Sequence, residues 1–134
     1  MKEIKVEIVT PSKTAYEGNV KSITIPGTKG SFQVLYNHAP LMSSFEIGFI
    51  KIEDQSGTRT NYATSGGTVE VLHNKVVVLA ETFESKNEID IERAEQARKR
   101  AEQRLKRETN EKEIDVLRAE LALKRALNRL KLAK

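Results

Sequence analysis

Apolar residues alternate strictly at the start of the chain. Ile4, Val6 and Ile8 fall on one side of an extended segment, Lys5 and Glu7 on the other, which is the two-residue period of a half-buried strand. Thr10-Pro11-Ser12 ends that run, since proline breaks both ladder and helix. Further β-type runs occupy 20–25, 31–35, 45–53, 59–64, 68–72 and 75–81. Turn signals separate them: Pro26-Gly27, Asn37-His38-Ala39-Pro40, Gln55-Ser56-Gly57, Ser65-Gly66-Gly67 and His73-Asn74. Short strands at such regular spacing predict an antiparallel β-sandwich or flattened barrel.

From Asp90 the period lengthens to that of a helix. Ile91, Ala94, Ala97, Ala101 and Leu105 form one narrow, alanine-rich stripe. The polar stretch 107–112 then interrupts it, with Asn110 as its turn residue, and a second helix is predicted over about 113–131. That helix carries two stripes: Val116, Ala119, Leu123, Ala126, Leu127 and Leu130 on one side, and Ile114, Leu117 and Leu121 on another. Alanines let two backbones approach closely, so the pair reads as an antiparallel hairpin. Its slim seam makes it marginal alone, and the second stripe of helix two is the expected docking surface. The fold class is α+β: a sandwich over 1–86 followed by a two-helix hairpin over 87–134.

Composition sharpens this division. All seven glycines and all three prolines precede residue 88. The net charge of +4 is also uneven: residues 1–89 carry nine Lys/Arg against ten Asp/Glu, and residues 90–134 carry fourteen against nine. The basic character therefore belongs to the helices. With 134 residues and no cysteine, the chain has no disulfide, thiolate metal site or cysteine nucleophile. His38 and His73 are far apart in sequence, which argues against a histidine metal site. No apolar run reaches the length of a signal peptide or a membrane span, and a cytosolic location without membrane insertion is expected.

No catalytic motif is present. Ser65-Gly66-Gly67 is the nearest approach to a phosphate loop, but it lacks the lysine and following helix and reads better as a hairpin or bulge. His38 reads as a surface residue and His73 as a hairpin residue. Asp90 stands where a carboxylate caps a helix N-terminus. Arg93 and Arg100 are seven residues apart, and Arg125 and Arg129 four apart, so each pair shares one side of its helix. Gathered by a hairpin, four guanidiniums suit a polyphosphate; the plainer alternative is solvated ion pairing with Glu92, Glu95 or Glu120. Nucleic acid is disfavoured, because acids and bases intersperse along both helices, leave no unbroken cationic face, and come with no aromatic residue for stacking.

The whole chain resembles the epsilon subunit of F-type ATP synthases. The resemblance lies in Val6-Glu7-Ile8-Val9-Thr10-Pro11 with Tyr16-Glu17, then Asn37-His38-Ala39-Pro40-Leu41, then Ser65-Gly66-Gly67 with Val69-Glu70-Val71. It continues through Ile89-Asp90-x-x-Arg93-Ala94 and Arg118-Ala119-Glu120-x-Ala122-Leu123-x-Arg125-Ala126-x-Asn128-Arg129-Leu130, all in order. Two departures stand out. Gly30-Ser31-Phe32-Gln33-Val34 replaces the family's Gly-Glu-hydrophobic-Gly, and Tyr36-Asn37 replaces its commoner Pro-Gly.

The resemblance implies a non-catalytic rotor subunit on the cytoplasmic face of the cell membrane. Its sandwich would bind the gamma subunit and seat on the ring of c subunits through Tyr36, Asn37, His38, Ala39 and Pro40. The hairpin would be a regulator, permissive when folded and inhibitory to ATP hydrolysis when extended toward acidic segments of the beta subunits. Some bacterial members bind ATP as a regulatory ligand. The matching positions are Glu84, Ile89, Asp90, Arg93, Ala94, Arg100, Arg125 and Arg129, with Glu84 and Asp90 toward the nucleoside and the arginines toward phosphate. The runner-up is a free-standing ATP-sensing or adaptor module.

Overall fold

A computed structural model describes residues 2–106 and 113–134. Asn110 lies outside them, and so does the side chain of Ile114. The chain divides into two compact units, Met1–Ser85 and Lys86–Lys134.

The first unit is a sandwich of two five-stranded sheets. One sheet has the order β2 (Thr14–Val20), β1 (Ile4–Val9), β9 (Lys75–Ala80), β8 (Gly67–Leu72) and β5 (Leu41–Phe45). The other runs β10 (Phe83–Glu84), β7 (Arg59–Thr64), β6 (Gly48–Glu53), β3 (Ser22–Ile25) and β4 (Phe32–Val34). Alternation sorts the side chains: Ile4, Val6 and Ile8 are at most 1% exposed. They meet Val69, Val71, Val76 and Val78 of their own sheet and Ile23, Ile25, Ile50 and Ile52 of the opposite one in a single core. The strand pairs are antiparallel except β1–β9, which is parallel.

Two runs that read as single strands are each split between the sheets. In 20–25, Val20 pairs with Ile4 in the first sheet and Ser22 with Glu53 in the second. Lys21 is the corner, its N–H bonded to the Glu53 carbonyl at 2.9 Å. In 45–53, Phe45 pairs with Gly67 while Gly48 pairs with Thr64 of the other sheet. The apolar positions on both sides of such a corner signal burial and are silent about the bend. Strands β2 and β5 were not legible beforehand. Thr14–Val20 is mostly polar or small and Leu41–Phe45 has two central serines, and both are edge strands held by their ladders with β1 and β8.

The connection from β7 to β8 is the Ser65-Gly66-Gly67 motif. The Gly66 carbonyl accepts the Glu81 N–H at 2.9 Å, and the Gly66 N–H donates to Thr64 Oγ1 at 3.3 Å. A Cβ at Gly67 would stand 1.9 Å from the Leu79 carbonyl oxygen. The glycines thus permit a close backbone crossing, which is the structural reading of the motif.

The second unit opens with a 3₁₀ turn, Lys86–Glu88, continues as α1 (Ile91–Lys106) and returns as α2 (Glu113–Ala133). Ala94 and Ala101 on α1, and Ala119, Ala126 and Leu130 on α2, are buried. The hairpin is antiparallel, for Lys134 Nζ bonds Glu95 Oε1 at 2.8 Å. Two stripe assignments need correction. Ile91 is 45% exposed and Leu127 47% exposed, because each lies roughly 60–100° around its helix from the seam alanines. Leu117 and Leu121 of the second stripe are exposed as well. Among the described residues, no helix is long and apolar enough to cross a membrane.

Candidate functional site

Asp90 precedes the first turn of α1, and its side chain is committed to that turn. Oδ1 accepts the Arg93 N–H at 3.0 Å, while its own carbonyl accepts the Ala94 N–H at 3.0 Å. This is N-cap geometry. Ile89, just before it, is buried at 8% exposure, and anchors the entry to the helix. Ala94 follows in the seam. Glu84 belongs to the other unit, half-buried on β10 opposite Ala63. The guanidiniums of Arg93 and Arg100 are exposed, and Arg125 and Arg129 are half-buried on α2.

Helical geometry shows how the four arginines are arranged. Each residue advances roughly 100° around the axis. Measured from Ala101, which faces α2, Arg93 and Arg100 lie roughly 80–100° to one side. Glu95, Arg98 and Glu102 lie to the other. Measured from Ala126 on α2, Arg125 and Arg129 fall on one side and Lys134 on the opposite one. The 2.8 Å bond between Lys134 and Glu95 makes their two flanks coincide. The remaining flanks must then coincide as well, so all four arginines share one side of the hairpin. At about 1.5 Å per residue from that bridge, Arg100 and Arg129 stand level, each roughly 7 Å along the helices. Arg104 joins the same flank, a residue not anticipated from the sequence.

The opposite flank holds the acids. Arg98 bonds Glu95 Oε2 through Nε (3.1 Å) and Nη2 (2.8 Å), and Glu102 Oε1 through Nη1 at 2.5 Å. Lys134 first, and then Arg98, hold the Glu95 carboxyl down at a pKa of about 2. The bonds shown for Glu95 therefore go to Arg98 and Lys134, not to the four matched arginines. The 3.6-residue period thus places the four matched arginines on one flank, and Glu95 and Glu102 with their own cations on the other.

A second constellation lies at one end of the sandwich, in the loop from β4 to β5. Asn37 takes a left-handed backbone conformation (φ 62°). Its N–H donates to Asn74 Oδ1 at 2.6 Å, and Asn74 Nδ2 donates to Asn37 Oδ1 at 3.2 Å. His38 donates its N–H to the Leu35 carbonyl at 3.1 Å. Its Nδ1 lies 2.7 Å from the Ala39 carbonyl, which only accepts, so Nδ1 carries the hydrogen. Tyr36, Ala39 and Pro40 are exposed. The two departures from the family pattern are separated by Leu35 alone: the first runs through β4 and the second opens the loop that follows it.

An arginine flank on a slim hairpin and a tied, exposed loop on a sandwich define a subunit that works by binding other molecules. Comparison with known proteins identifies which. Residues 3–86 match the family model for the ATP synthase delta/epsilon chain β-sandwich domain. Residues 87–134 match that for the delta/epsilon chain long α-helix domain. The ATP synthase epsilon chain of Pelotomaculum thermopropionicum is 51% identical, with 78% of each chain covered. That of Salinibacter ruber is 44% identical, covering 77% of this chain and 74% of the relative. In fold, the chain is similar to one in the Euglena gracilis mitochondrial ATP synthase structure, with a TM-score of 0.78 at 22% identity over 91% of this chain and 76% of that one. The Tetrahymena thermophila mitochondrial ATP synthase central stalk/c-ring structure gives a TM-score of 0.66 at 17% identity, over 97% and 96%. The chain belongs to the ATP synthase delta/epsilon family, as a non-catalytic epsilon-type subunit.

Proposed function

We propose that this chain is a rotor subunit of the central stalk, on the cytoplasmic face of the cell membrane, that couples proton-driven rotation to ATP synthesis and restrains ATP hydrolysis through its hairpin. The sandwich binds the gamma subunit and seats on the c-subunit ring through Tyr36, Asn37, His38, Ala39 and Pro40. The hairpin is the two-state element. Folded, it gathers Arg93, Arg100, Arg125 and Arg129; extended, it offers the same guanidiniums to acidic segments of the beta subunits.

The observation that carries the regulatory reading is the arginine flank. Cationic groups brought onto one flank attract a polyanion to the folded hairpin, and a triphosphate bound there favours that form. Arginine suits this because its paired N–H donors match phosphate oxygens. A ligand that binds only the folded form stabilises it by about 2.7 kcal/mol at a hundredfold excess over Kd, enough to reverse a marginal equilibrium. With one Asp90 oxygen engaged in the cap, its contribution to the nucleoside end falls to the other oxygen.

Isothermal titration of the full chain with ATP, and with ADP as comparison, tests this. Binding in the micromolar-to-millimolar range with a preference for ATP is expected, together with a large loss of affinity in Arg129→Ala. Full ATP affinity in that variant would remove the arginine flank from the site. ATP binding without affinity for a gamma subunit would instead favour the free-standing sensor.

A further inference from the structure

The Asn37–Asn74 pair joins two segments far apart in sequence: the exposed 36–40 loop and the two-residue turn between β8 and β9. Both turn residues, His73 (φ 49°) and Asn74 (φ 60°), are left-handed, as a tight two-residue hairpin of this type requires. The turn is itself braced, since the Asn74 carbonyl accepts the Lys5 N–H at 2.9 Å. Asn74 thus stands on rigid strand ends and reaches into a loop with few fixed points of its own.

Asn37 needs such a partner. A left-handed backbone is disfavoured for residues with a Cβ, and asparagine tolerates it better than most. Glycine meets no such penalty, but it leaves the loop freer. Here the Asn74 carboxamide takes up both the N–H and the side-chain oxygen of Asn37, which compensates for the Cβ and fixes the conformation. Leu35 (47% exposed), Tyr36 (41%) and Leu72 (44%) surround this clamp. One apolar-tipped surface therefore forms from the loop and the turn together.

We propose that Asn74 is a positioning residue: its carboxamide holds the 36–40 loop in a single conformation and joins it to the Leu72–His73 turn as one contact surface for the c-subunit ring. This rests on the ring-contact reading of that loop. The turn contributes area and the clamp contributes preorganisation, which raises affinity by lowering the ordering cost on binding.

The test uses the full chain, the detergent-solubilised c-subunit ring, and two variants that each keep the left-handed turn. Asn74→Gly removes the carboxamide. Asn74→Asp keeps the acceptor for the Asn37 N–H and loses only the second bond. Asparagine-37 amide exchange is expected to accelerate about tenfold in Asn74→Gly, the equivalent of one lost hydrogen bond, and much less in Asn74→Asp. Ring affinity should follow the same order, with a loss of about tenfold in Asn74→Gly. Unchanged exchange in Asn74→Gly overturns the clamp, and faster exchange with unchanged affinity overturns its role in binding. Failure of the unaltered chain to bind the ring overturns the ring reading of the loop, and the positioning role with it.

Discussion

Replacing Gly67 by alanine tests the reading of Ser65-Gly66-Gly67 as a close backbone crossing. An added Cβ would stand 1.9 Å from the Leu79 carbonyl oxygen and 3.0 Å from the Ala80 Cα. Both are backbone atoms of the neighbouring strand, so no side-chain rotation relieves the contact. Restoring an ordinary separation moves β8 from β9 by more than about 1 Å, beyond hydrogen-bonding range for the local ladder. Gly67 pairs with Ala80 on one side and Phe45 on the other, and the Glu81–Gly66 bond is adjacent. Loss of two or three such bonds at about 1 kcal/mol each, with the residual strain, gives roughly 3 kcal/mol or more. A small domain has a total stability of about 5–15 kcal/mol, so this is a large fraction. Gly18→Ala is the control: its Cβ meets only the Tyr16 ring at 3.8 Å, and lower unfolded-state entropy makes it neutral or slightly stabilising. Urea unfolding followed by Tyr16 and Tyr62 fluorescence reads the sandwich directly, because both rings pack near Phe83. The expected outcome is a midpoint lowered by about 2 M urea in Gly67→Ala. Equal midpoints for the two variants would refute the crossing.

Val6 is fully buried, so Val6→Ile should be mild, while Val6→Asp, which buries a charge, should abolish folding of the sandwich; an unchanged far-ultraviolet melting curve for the latter would contradict the strand. Ala126 is 1% exposed in the hairpin, and Ala126→Leu should overpack it at a cost of about 1–3 kcal/mol. The readout is an earlier thermal loss of the 222 nm helix signal, and no change would place Ala126 outside a tight seam. The Glu95 carboxyl, held at about 2 against an ordinary 4.5, loses protons more readily folded than unfolded. Its contribution to hairpin stability is thus fully present above about pH 4.5 and disappears as pH falls toward 2. Glu95→Gln should flatten hairpin melting temperature across that window, and a variant with the same pH dependence as the unaltered chain would exclude the Lys134–Glu95 bridge.

Local pattern alone determined much of this protein. The alternation of Ile4, Val6 and Ile8 defines a strand and its buried face, because the side-chain period of a strand is two wherever it packs. The shift at Asp90 to a three-and-four spacing likewise defines the helices, and Asp90 itself marks where the first begins. Family membership was also legible, since short motifs in fixed order survive when surfaces change. What tertiary structure decided is where segments change partners. Nothing in the run 20–25 reveals that Lys21 turns from one sheet to the other, and only ladders from β1 and β8 make strands of Thr14–Val20 and Leu41–Phe45. The same holds for the sites. Arg93, Arg100, Arg125 and Arg129 become one flank only because the helices pack antiparallel along their alanine seam, in the register that the Lys134–Glu95 bridge marks. Asn37 finds Asn74 only because the sandwich brings residues 37 positions apart within hydrogen-bonding distance. Periodicity is written by neighbours in sequence; register and clamp are relations between distant segments, and they exist only once the chain has folded.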